Sequence, residues 1–448
     1  MTAPGRGRGP TVLMTRSRLE AGEPRNRTAA VRLLTCYLVL LMAIPSSLVV
    51  GPFGAAGAPA GLFAVLLLCW YLIAWQHPLL PLDTGRQPVR VAAILFGCAT
   101  VAAYVSANRV SMPVLEENGA DRGLIILAGW MGVALLAVDG IDSHERLDTL
   151  LRRVVTGATA MATIGIVEFF TGLSFAQYIV IPGLSVHTQV DGLLSVVGLA
   201  RATSTAAQPL ELDAVLAIVL PLAIHQARFA PPALRVRRWL QVGLITAAMP
   251  MTVSRSAILV LAVIALVLFT TWPKRYRQRA YRAVVAGLVF VWLSEPSVLG
   301  SFGDLISHFG TDSSITSRTA AYAAAASLIA RHPWFGQGFQ TFFPQSYFFI
   351  DNQYLTSLIE TGFAGSLALI ALFATGWFVA RSTRRMTGDL KTRDLMQCFA
   401  ASVAGAAVSF STFDALSFVI APGLTFLVLG CVGAAWRLTR AQRVSSSP

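Results

Sequence analysis

The sequence predicts an all-α, polytopic membrane protein with about twelve transmembrane helices and a large extracytoplasmic loop that carries short helices between spans 9 and 10. Composition is the first reason: 55% of the 448 residues are hydrophobic and 13% are charged, and the mean hydropathy is +0.64. Soluble domains usually carry about 25% charged residues. The second reason is a series of apolar stretches, and the third is the distribution of basic residues between them.

A helix needs about 20 apolar residues to cross the hydrocarbon core of a bilayer. About twelve stretches of the sequence meet or approach that length. The expected spans start near Ala30, Pro59, Val89, Gly123, Val154, Pro209, Arg238, Ser256, Ala280, Asn352, Leu395 and Ala415. The run from Leu33 to Val50 is long for a signal peptide and has no clear small-x-small cleavage site, so we expect it to remain as the first span.

The basic residues predict the orientation, because lysine and arginine gather in cytoplasmic loops. With the amino terminus in the cytoplasm, few of the 35 basic residues lie outside; these are Arg109, Arg122, Arg201, Arg255, Arg318 and Arg331. We therefore expect a multi-pass protein of the cytoplasmic (inner) membrane with both termini cytoplasmic. The basic clusters at 235–238, 274–277 and 381–385 then face membrane lipids. Nucleic acid is not the expected partner, because these clusters are separate short loops.

Three segments are predicted along the chain. Residues 1–29 are rich in Arg, Gly and Pro and are expected to form a disordered, basic cytoplasmic N-terminus. Residues 30–436 form the transmembrane domain, and residues 437–448 form a cytoplasmic tail. The cysteines have no paired or metal-like spacing, so we expect small buried hydrophobic residues without disulfides or zinc; they are Cys36, Cys69, Cys98, Cys398 and Cys431.

Two connections on the outer side are long, at roughly 171–208 and 294–350. Loops of this length are usually functional or disordered. The second is rich in aromatic residues and is expected to fold. Within it, residues 317–330 are alanine-rich and predict a helix. Arg331-His332-Pro333 is expected to end that helix, and Gly336-Gln337-Gly338 to supply a turn.

Basic residues are scarce on the outer side, so Arg201, Arg255 and Arg318 are conspicuous there, together with the pair Asp351-Asn352. A cation costs about 2.5 to 3.5 kcal/mol at the centre of a bilayer on insertion scales, and cations at its margins usually have a reason to be there. These residues point to an anionic, lipid-linked substrate.

Several of these residues belong to spaced motifs. Asn352 is followed, after nine residues, by Gly362-x-x-Gly365, and residues 332–338 read His-Pro-x-x-Gly-x-Gly. Ser317-Arg318 precedes that turn, Ser254-Arg255-Ser256 stands at an expected span start, and Arg201 lies ahead of the span at Pro209. In this order, across residues 195–375, the fragments resemble the O-antigen ligase and O-antigen polymerase family.

The resemblance implies a membrane glycosyltransferase that moves a glycan from a polyprenyl-pyrophosphate carrier to an acceptor hydroxyl on the extracytoplasmic side. It implies that Arg201, Arg255 and Arg318 hold the pyrophosphate, because arginine forks match phosphate oxygens. Asp351 occupies the position where ligases carry a histidine and is the candidate base, beside Asn352. His332, Glu360 and Tyr354 are supporting residues. The carrier supplies its own leaving group, so no cofactor and no metal is expected.

The implied partners are the polyprenyl-pyrophosphate-linked donor, the membrane lipids, and an acceptor that is a glycan, a lipid or the cell wall. Polymerisation of a surface polysaccharide and ligation to another acceptor both remain open. The absence of the histidine at position 351 weakens the reading as a lipopolysaccharide ligase.

Structural roles are alternatives for each residue. Arg255 can pair with Glu211, Asp213 or Glu360, and Arg201 can contact lipid phosphate. Asp351 can be a helix cap, or Asn352 can cap while Asp351 reacts. Glu360 is expected to be a buried partner of an arginine, because an unpaired charge within a span is costly. His332 can simply shape the turn before Pro333.

Two other classes of protein compete with the enzyme. A transporter or flippase of a lipid-linked oligosaccharide also needs internal arginines, but its cationic residues should line a path through the membrane. A scaffolding membrane protein gives no reason for the outer arginines or for the long aromatic loop.

Overall fold

The computed structural model describes residues 29–76, 85–109, 111–186, 195–196, 199–278, 281–282, 313–344 and 346–445. Side chains are described over the same ranges except at 195–196, 199–200, 255, 313–321 and 445. The expected disordered N-terminus at 1–29, except for Ala29, and the expected span start at Ala280 therefore lie outside the described residues.

The described chain is almost entirely helical, as the sequence predicts. Its helices are α1 Ala29–Ala43, α2 Pro59–Gln76, α3 Pro88–Ala107, α4 Val114–Gly140, α5 His144–Thr171, α6 Pro209–Arg228, α7 Arg235–Ala248, α8 Arg255–Phe269, α9 Ser313–Arg331, α10 Gln353–Glu360, α11 Gly362–Met386, α12 Leu390–Ser409 and α13 Ile420–Ser445. Short 3-10 turns occur at Gly51–Gly57, Phe175–Tyr178, Pro232–Leu234, Pro250–Thr252 and Ala415–Ser417.

The strands are two-residue pairs in loops. β1 Leu48–Val49 pairs antiparallel with β2 Ser185–Val186, and β3 Ser195–Val196 pairs antiparallel with β4 Leu199–Ala200. The first pair joins the connection after α1 to the connection after α5. The all-α prediction holds for the described residues, since these pairs form no layer of their own.

Seven of the described helices are long and apolar enough to cross a membrane: α2, α3, α4, α5, α6, α11 and α13. The apolar helices α1 and α8 are shorter. The expected number of twelve spans stays a prediction. Three of the expected spans take a different form: α7 has 14 residues, Ala415 begins a 3-10 turn rather than a span, and the segment from Asn352 is divided into α10 and α11 at Thr361. Two others, expected near Gly123 and Val154, begin earlier, at Val114 and His144.

Helices α6 and α13 form the centre of the bundle, since 89% of each apolar window is buried, against 28% for α2. Small residues let neighbouring backbones approach closely, as is usual between membrane helices. A Cβ atom on Gly132 of α4 would lie 2.4 Å from the carbonyl oxygen of Ala64 on α2, and one on Gly430 of α13 would lie 2.8 Å from that of Ala134 on α4. Larger residues at these two positions would separate the helices.

The cysteine prediction is partly wrong. Cys398 and Cys431 are buried, but Cys36, Cys69 and Cys98 are exposed on the surfaces of helices. A cysteine on a membrane helix is not driven inward by the hydrophobic effect, because lipid is as apolar as the core. All five thiols are free.

Candidate functional site at one end of the bundle

The predicted outer segments meet at one end of the bundle, which we call the site end: residues 201–211, 250–256, 332–353 and 410–421. The amide of Ala202 donates to the carbonyl of Met251 over 3.1 Å, and the amide of Gln353 donates to the carbonyl of Phe410 over 2.8 Å. Glu211 Oε1 accepts the amide of Ile420 at 2.7 Å. The structure thus joins the starts of α6, α8, α10 and α13 at a common end.

The His-Pro turn at residues 332–338, called the HP turn below, packs against the break between α10 and α11. The amides of Gln337 and Gly338 donate to the carbonyls of Ile359 and Glu360, each over 2.9 Å. In return, the amides of Phe363 and Ala364 donate to the carbonyls of Pro333 and Trp334, over 2.8 and 3.0 Å. The two glycine motifs found in the sequence therefore bind each other through their backbones.

Glycine is required at this contact for two reasons. Gly336 has φ +67° and Gly362 has φ +62°, a region that other residues adopt only with strain. A Cβ on Gly336 would lie 2.3 Å from the carbonyl carbon of Glu360, and a Cβ on Gly362 would lie 2.4 Å from that of Trp334. The expected flexible turn is a close backbone contact instead.

His332 takes part in this turn through its backbone. Its carbonyl accepts the amide of Gly336 over 3.0 Å, and its side chain is exposed. This geometry agrees with the alternative that His332 shapes the turn.

Asn352 is the N-cap of α10. Its Oδ1 accepts the amides of Tyr354 and Leu355 at 3.0 and 3.3 Å, two of the first N–H groups of the helix that have no partner within it. Asp351, the residue before it, is exposed. The cap therefore uses Asn352 and leaves the Asp351 carboxylate outside it, as one of the sequence alternatives describes.

Gln353 and Tyr354 anchor the start of α10 to the neighbouring helices. Gln353 Oε1 accepts the amide of Leu416 at 2.7 Å, and its Nε2 donates to the hydroxyl of Ser357. The hydroxyl of Tyr354 donates to the carbonyl of Ala407 on α12 at 2.7 Å. Tyr354 thus ties the start of α10 to α12, and its expected supporting role in the site stays a prediction.

Asp414 is an acidic neighbour of Asp351 that the sequence reasoning missed. It lies in the loop between α12 and α13. Burial raises the pKa of its carboxyl group to about 7, and the negative charge of Asp351 adds to the rise, while a hydrogen bond from Ser417 opposes it. Asp351 and Asp414 therefore form a pair of carboxyl groups in which one is partly protonated near neutral pH.

Glu360 is 3% exposed, and its Oε1 accepts the amide of Phe342 at 3.3 Å. Among the described side chains, this backbone contact takes the place of the arginine partner that the sequence predicts. The residue ties the aromatic loop to the end of α10. Such a role is structural, because it fixes the HP turn and the loop after it.

Arg201 lies directly after β4, beside the turn between α7 and α8. Its Nε donates to the carbonyl of Thr252 at 2.8 Å. Burial lowers the pKa of its guanidinium, and attraction to Asp213 on α6 acts in the opposite direction. A guanidinium stays charged under either influence. The structure therefore places this cation next to the Ser254-Arg255-Ser256 motif.

The side chains of Arg255 and Arg318 lie outside the described residues. Arg255 is the first residue of α8, and Arg318 lies within α9. Their expected role in holding pyrophosphate stays a prediction, as does the contact of Arg255 with an acidic partner.

Two further buried glutamates, Glu168 and Glu211, hold the backbone of the site end. The sequence reasoning missed Glu168. Glu168, near the end of α5, is fully buried; its Oε2 accepts the amides of Thr203 and Ser204 at 3.1 and 2.6 Å. Glu211 accepts the amides of Ile420 and Ala421, the first residues of α13, at 2.7 and 3.3 Å. A lone acid within an apolar helix is the signal that could have identified Glu168.

The aromatic loop after the HP turn packs on the site end of α4. Phe342 stacks on Tyr347 with ring centres 5.3 Å apart, and the hydroxyl of Tyr347 donates to Glu116 Oε1 at 2.7 Å. The ring of Phe339 lies 5.9 Å from that of Trp130. In the part of the loop that the structure describes, these aromatic residues therefore pack against α4.

One cluster in the described residues has donors that could hold a metal ion, and it lies at the opposite end of the bundle. His225, Asp394 and Cys398 offer ligand atoms within 4.8 Å of one another. His225 Nδ1 lies 2.8 Å from Asp394 Oδ2, and Arg228 pairs with the other oxygen of Asp394. The guanidinium already neutralises the carboxylate, which disfavours a second cation there.

The structure therefore brings Arg201 to the α7–α8 turn, and Asp351 and Asn352 to the loop between α12 and α13, at the same end of the bundle. Comparison with known proteins gives one family. No curated protein matches the chain. Residues 240–370, from α7 to the first half of α11, match the family model described as O-antigen ligase. Arg201 lies outside that range, whereas the other predicted site residues lie inside it. Over residues 240–370, the match confirms the resemblance to the O-antigen ligase and O-antigen polymerase family that the motifs predict.

Proposed function

We propose that this protein transfers a glycan from a polyprenyl-pyrophosphate carrier to an acceptor hydroxyl on the extracytoplasmic side of the cytoplasmic membrane. The family match supports a membrane glycan enzyme of the O-antigen ligase or polymerase type. The observation that carries the finer proposal is that a cation, Arg201, and an exposed carboxylate, Asp351, lie at the same end of the bundle as both glycine motifs.

In the proposed reaction, the guanidinium of Arg201 binds the pyrophosphate. Its Nε is held by Thr252, which leaves the terminal nitrogens as donors to phosphate oxygens. Arg255 and Arg318 are proposed to add positive charge from α8 and α9. These cations stabilise the pyrophosphate as negative charge develops on its leaving oxygen.

Asp351 is proposed to accept the proton of the incoming hydroxyl. The hydroxyl oxygen bonds to the anomeric carbon, the bond from that carbon to the pyrophosphate oxygen breaks, and polyprenyl pyrophosphate leaves. A carboxylate is a weaker base than imidazole, but an oxocarbenium-like transition state needs little base strength, as in glycoside hydrolysis. Asn352 supports the step by fixing the start of α10.

The test is transfer in liposomes. Purified protein is given a lipid-linked oligosaccharide together with glycan, lipid or cell-wall acceptors, and formation of the glycosidic bond is measured without added metal. Asp351→Asn and Arg201→Ala are each expected to lower kcat by at least about 100-fold, as for the removal of a general base or an anion-stabilising group. Arg109→Gln removes an exposed arginine predicted to be on the same side and should keep wild-type turnover.

Full turnover in both Asp351→Asn and Arg201→Ala would overturn the assignment of these residues. The acceptor that becomes extended separates the two forms of the reaction: a second donor glycan indicates a polymerase, and a lipid or wall acceptor indicates a ligase.

A flippase of the same carrier is the alternative function. It predicts that labelled carrier crosses the bilayer while no glycosidic bond forms. In the described helices, the buried carboxylate and histidine side chains lie within about two turns of a helix end; they are Asp139, Glu168, Glu211, Asp213, His225 and Glu360. They do not line a path through the middle of the described bundle, which disfavours transport.

A further inference from the structure

A groove runs between α3 and α11, with α13 behind it, and we call it the α3–α11 groove. It has a volume of about 1080 Å³, more than the range of about 300–1,000 Å³ that is usual for small-molecule sites. Most of its wall is apolar: Val91, Leu95 and Ala99 from α3, and Ala364, Leu367 and Ala371 from α11. α3 and α11 are both long and apolar enough to span a membrane, so such a groove would be filled by lipid.

One end of the groove is cationic. Arg86, Arg90 and Arg440 line it beside the start of α3 and the end of α13. Arg90 is paired with Asp139, with Nη1 2.9 Å from Oδ2. Arg86 and Arg440 are exposed and add two further positive charges.

Trp436 fixes one of these cations. It lines the groove from α13, and the guanidinium carbon of Arg440 lies 5.3 Å from its ring centre. A cation over an indole face is held by the ring quadrupole, and tryptophan prefers the level of the lipid headgroups. The cationic end therefore has the character of a headgroup site.

The length of the groove fits a lipid chain. From the arginine end, residues 88–99 of α3 line it, which is about 17 Å at a helical rise of about 1.5 Å per residue. One leaflet is about half of a hydrocarbon core of about 30 Å. The groove is thus long enough for an acyl chain of one leaflet, with a charged headgroup at the arginine end.

We propose that the α3–α11 groove binds an anionic phospholipid of the leaflet predicted to be cytoplasmic, with its acyl chain along α3 and α11 and its phosphate at Arg86 and Arg440. Charge complementarity selects this occupant, because a zwitterionic lipid brings no net charge to the arginines. The groove is separate from Arg201 and Asp351, so this binding is independent of the proposed transfer reaction.

The test is native mass spectrometry of the purified full-length protein, titrated with phosphatidylglycerol or with phosphatidylcholine. Phosphatidylglycerol is expected to bind more tightly. The double variant Arg86→Gln/Arg440→Gln should weaken its binding by about 25-fold, since each basic residue near an anionic surface contributes about fivefold. Arg235→Gln/Arg237→Gln removes the same charge from exposed positions outside the groove and should leave binding unchanged.

Ala371→Phe tests the apolar part, since it adds a ring to an exposed position in the wall of the groove and should weaken phosphatidylglycerol binding without a change of charge. The proposal is overturned if the two arginine double variants lose affinity equally, if Ala371→Phe binds normally, or if inorganic phosphate alone displaces the lipid. Equal affinity for the two lipids overturns it as well. That comparison uses the wild-type protein and holds even if a variant fails to fold.

Discussion

The contact between the HP turn and the start of α11 leads to a prediction with internal controls. In Gly362→Ala, the new Cβ would lie 2.4 Å from the carbonyl carbon of Trp334, at a backbone φ of +62°. The left-handed conformation costs about 1–2 kcal/mol in a residue with a Cβ. Displacement of the HP turn also removes two hydrogen bonds, from Phe363 and Ala364, worth about 0.5–1.5 kcal/mol each.

Alanine also restricts the unfolded chain, which offsets about 0.4–1 kcal/mol of this loss in stability. The expected net loss in Gly362→Ala is about 2–4 kcal/mol in the free energy of unfolding. Two other glycines separate the causes. Gly172 has φ +70° but nothing within 4 Å of a built Cβ, and Gly388 also has open space but no positive φ. Gly172→Ala should lose about 1 kcal/mol, and Gly388→Ala should be neutral or slightly stabilised.

The measurement is unfolding in mixed micelles, followed by tryptophan fluorescence across an SDS titration. Gly336→Ala tests the same contact from the HP turn, because its Cβ would lie 2.3 Å from the carbonyl carbon of Glu360. The double variant Gly336→Ala/Gly362→Ala should lose less than the sum of the single variants, since the first substitution already opens the contact. If Gly362→Ala costs no more than Gly172→Ala, the close approach to Trp334 is not present and the reasoning is wrong.

Three further predictions concern the acidic and capping residues. The pKa of Asp414 is raised to about 7 from an ordinary value near 3.9, so the folded protein binds more protons than the unfolded chain, and the contribution of Asp414 to stability is lost as pH rises from about 4 to 7, by at most about 4 kcal/mol. Asp414→Asn should therefore reduce the fall in Tm between pH 5 and pH 8. An unchanged fall would contradict this. Glu168→Gln should cost about 1–3 kcal/mol and speed hydrogen exchange at Thr203 and Ser204, whereas unaltered exchange would show that Glu168 does not hold that loop. Asn352→Ala should lower the free energy of unfolding by about 1 kcal/mol, and an aspartate in its place, Asn352→Asp, should restore the cap. A catalytic role for Asn352 is indicated only if Asn352→Asp is as stable as the wild type but does not transfer glycan.

The sequence predicts the fold class well, because a bilayer requires long apolar helices and hydropathy detects them directly. The starts of α2, α3 and α6 lie within one residue of the expected Pro59, Val89 and Pro209, where prolines suit the first turn. The expected starts at Gly123 and Val154 are nine and ten residues too late, since α4 begins at Val114 and α5 at His144. A helix can extend beyond its apolar stretch into polar residues, since its backbone hydrogen bonds do not depend on hydropathy. A hydropathy pattern therefore does not detect the extension.

The candidate site is predicted less completely. Spacing and residue type identify Asn352 as a possible cap and the glycine motifs as a pair, because these depend on local chemistry. The partners of the buried acids depend on tertiary contacts. Glu360 and Glu168 bind backbone amides, and every residue except proline offers such a donor, so sequence alone cannot name the partner.

The use of backbone donors has a consequence for substrate binding. Three buried carboxylates at the site end, Glu168, Glu211 and Glu360, each accept amide N–H groups. The amides that Glu211 accepts lie at the start of α13, where partial positive charge favours an anion. Acids satisfied in this way need no arginine. The guanidinium of Arg201 is therefore opposed within the described residues mainly by Asp213, and this end of the bundle keeps positive charge for an anionic substrate. Protection of Arg201 from an arginine-modifying reagent by a polyphosphate probe should therefore be stronger in Asp213→Asn, which removes the opposing charge, and weaker protection in that variant would contradict this balance.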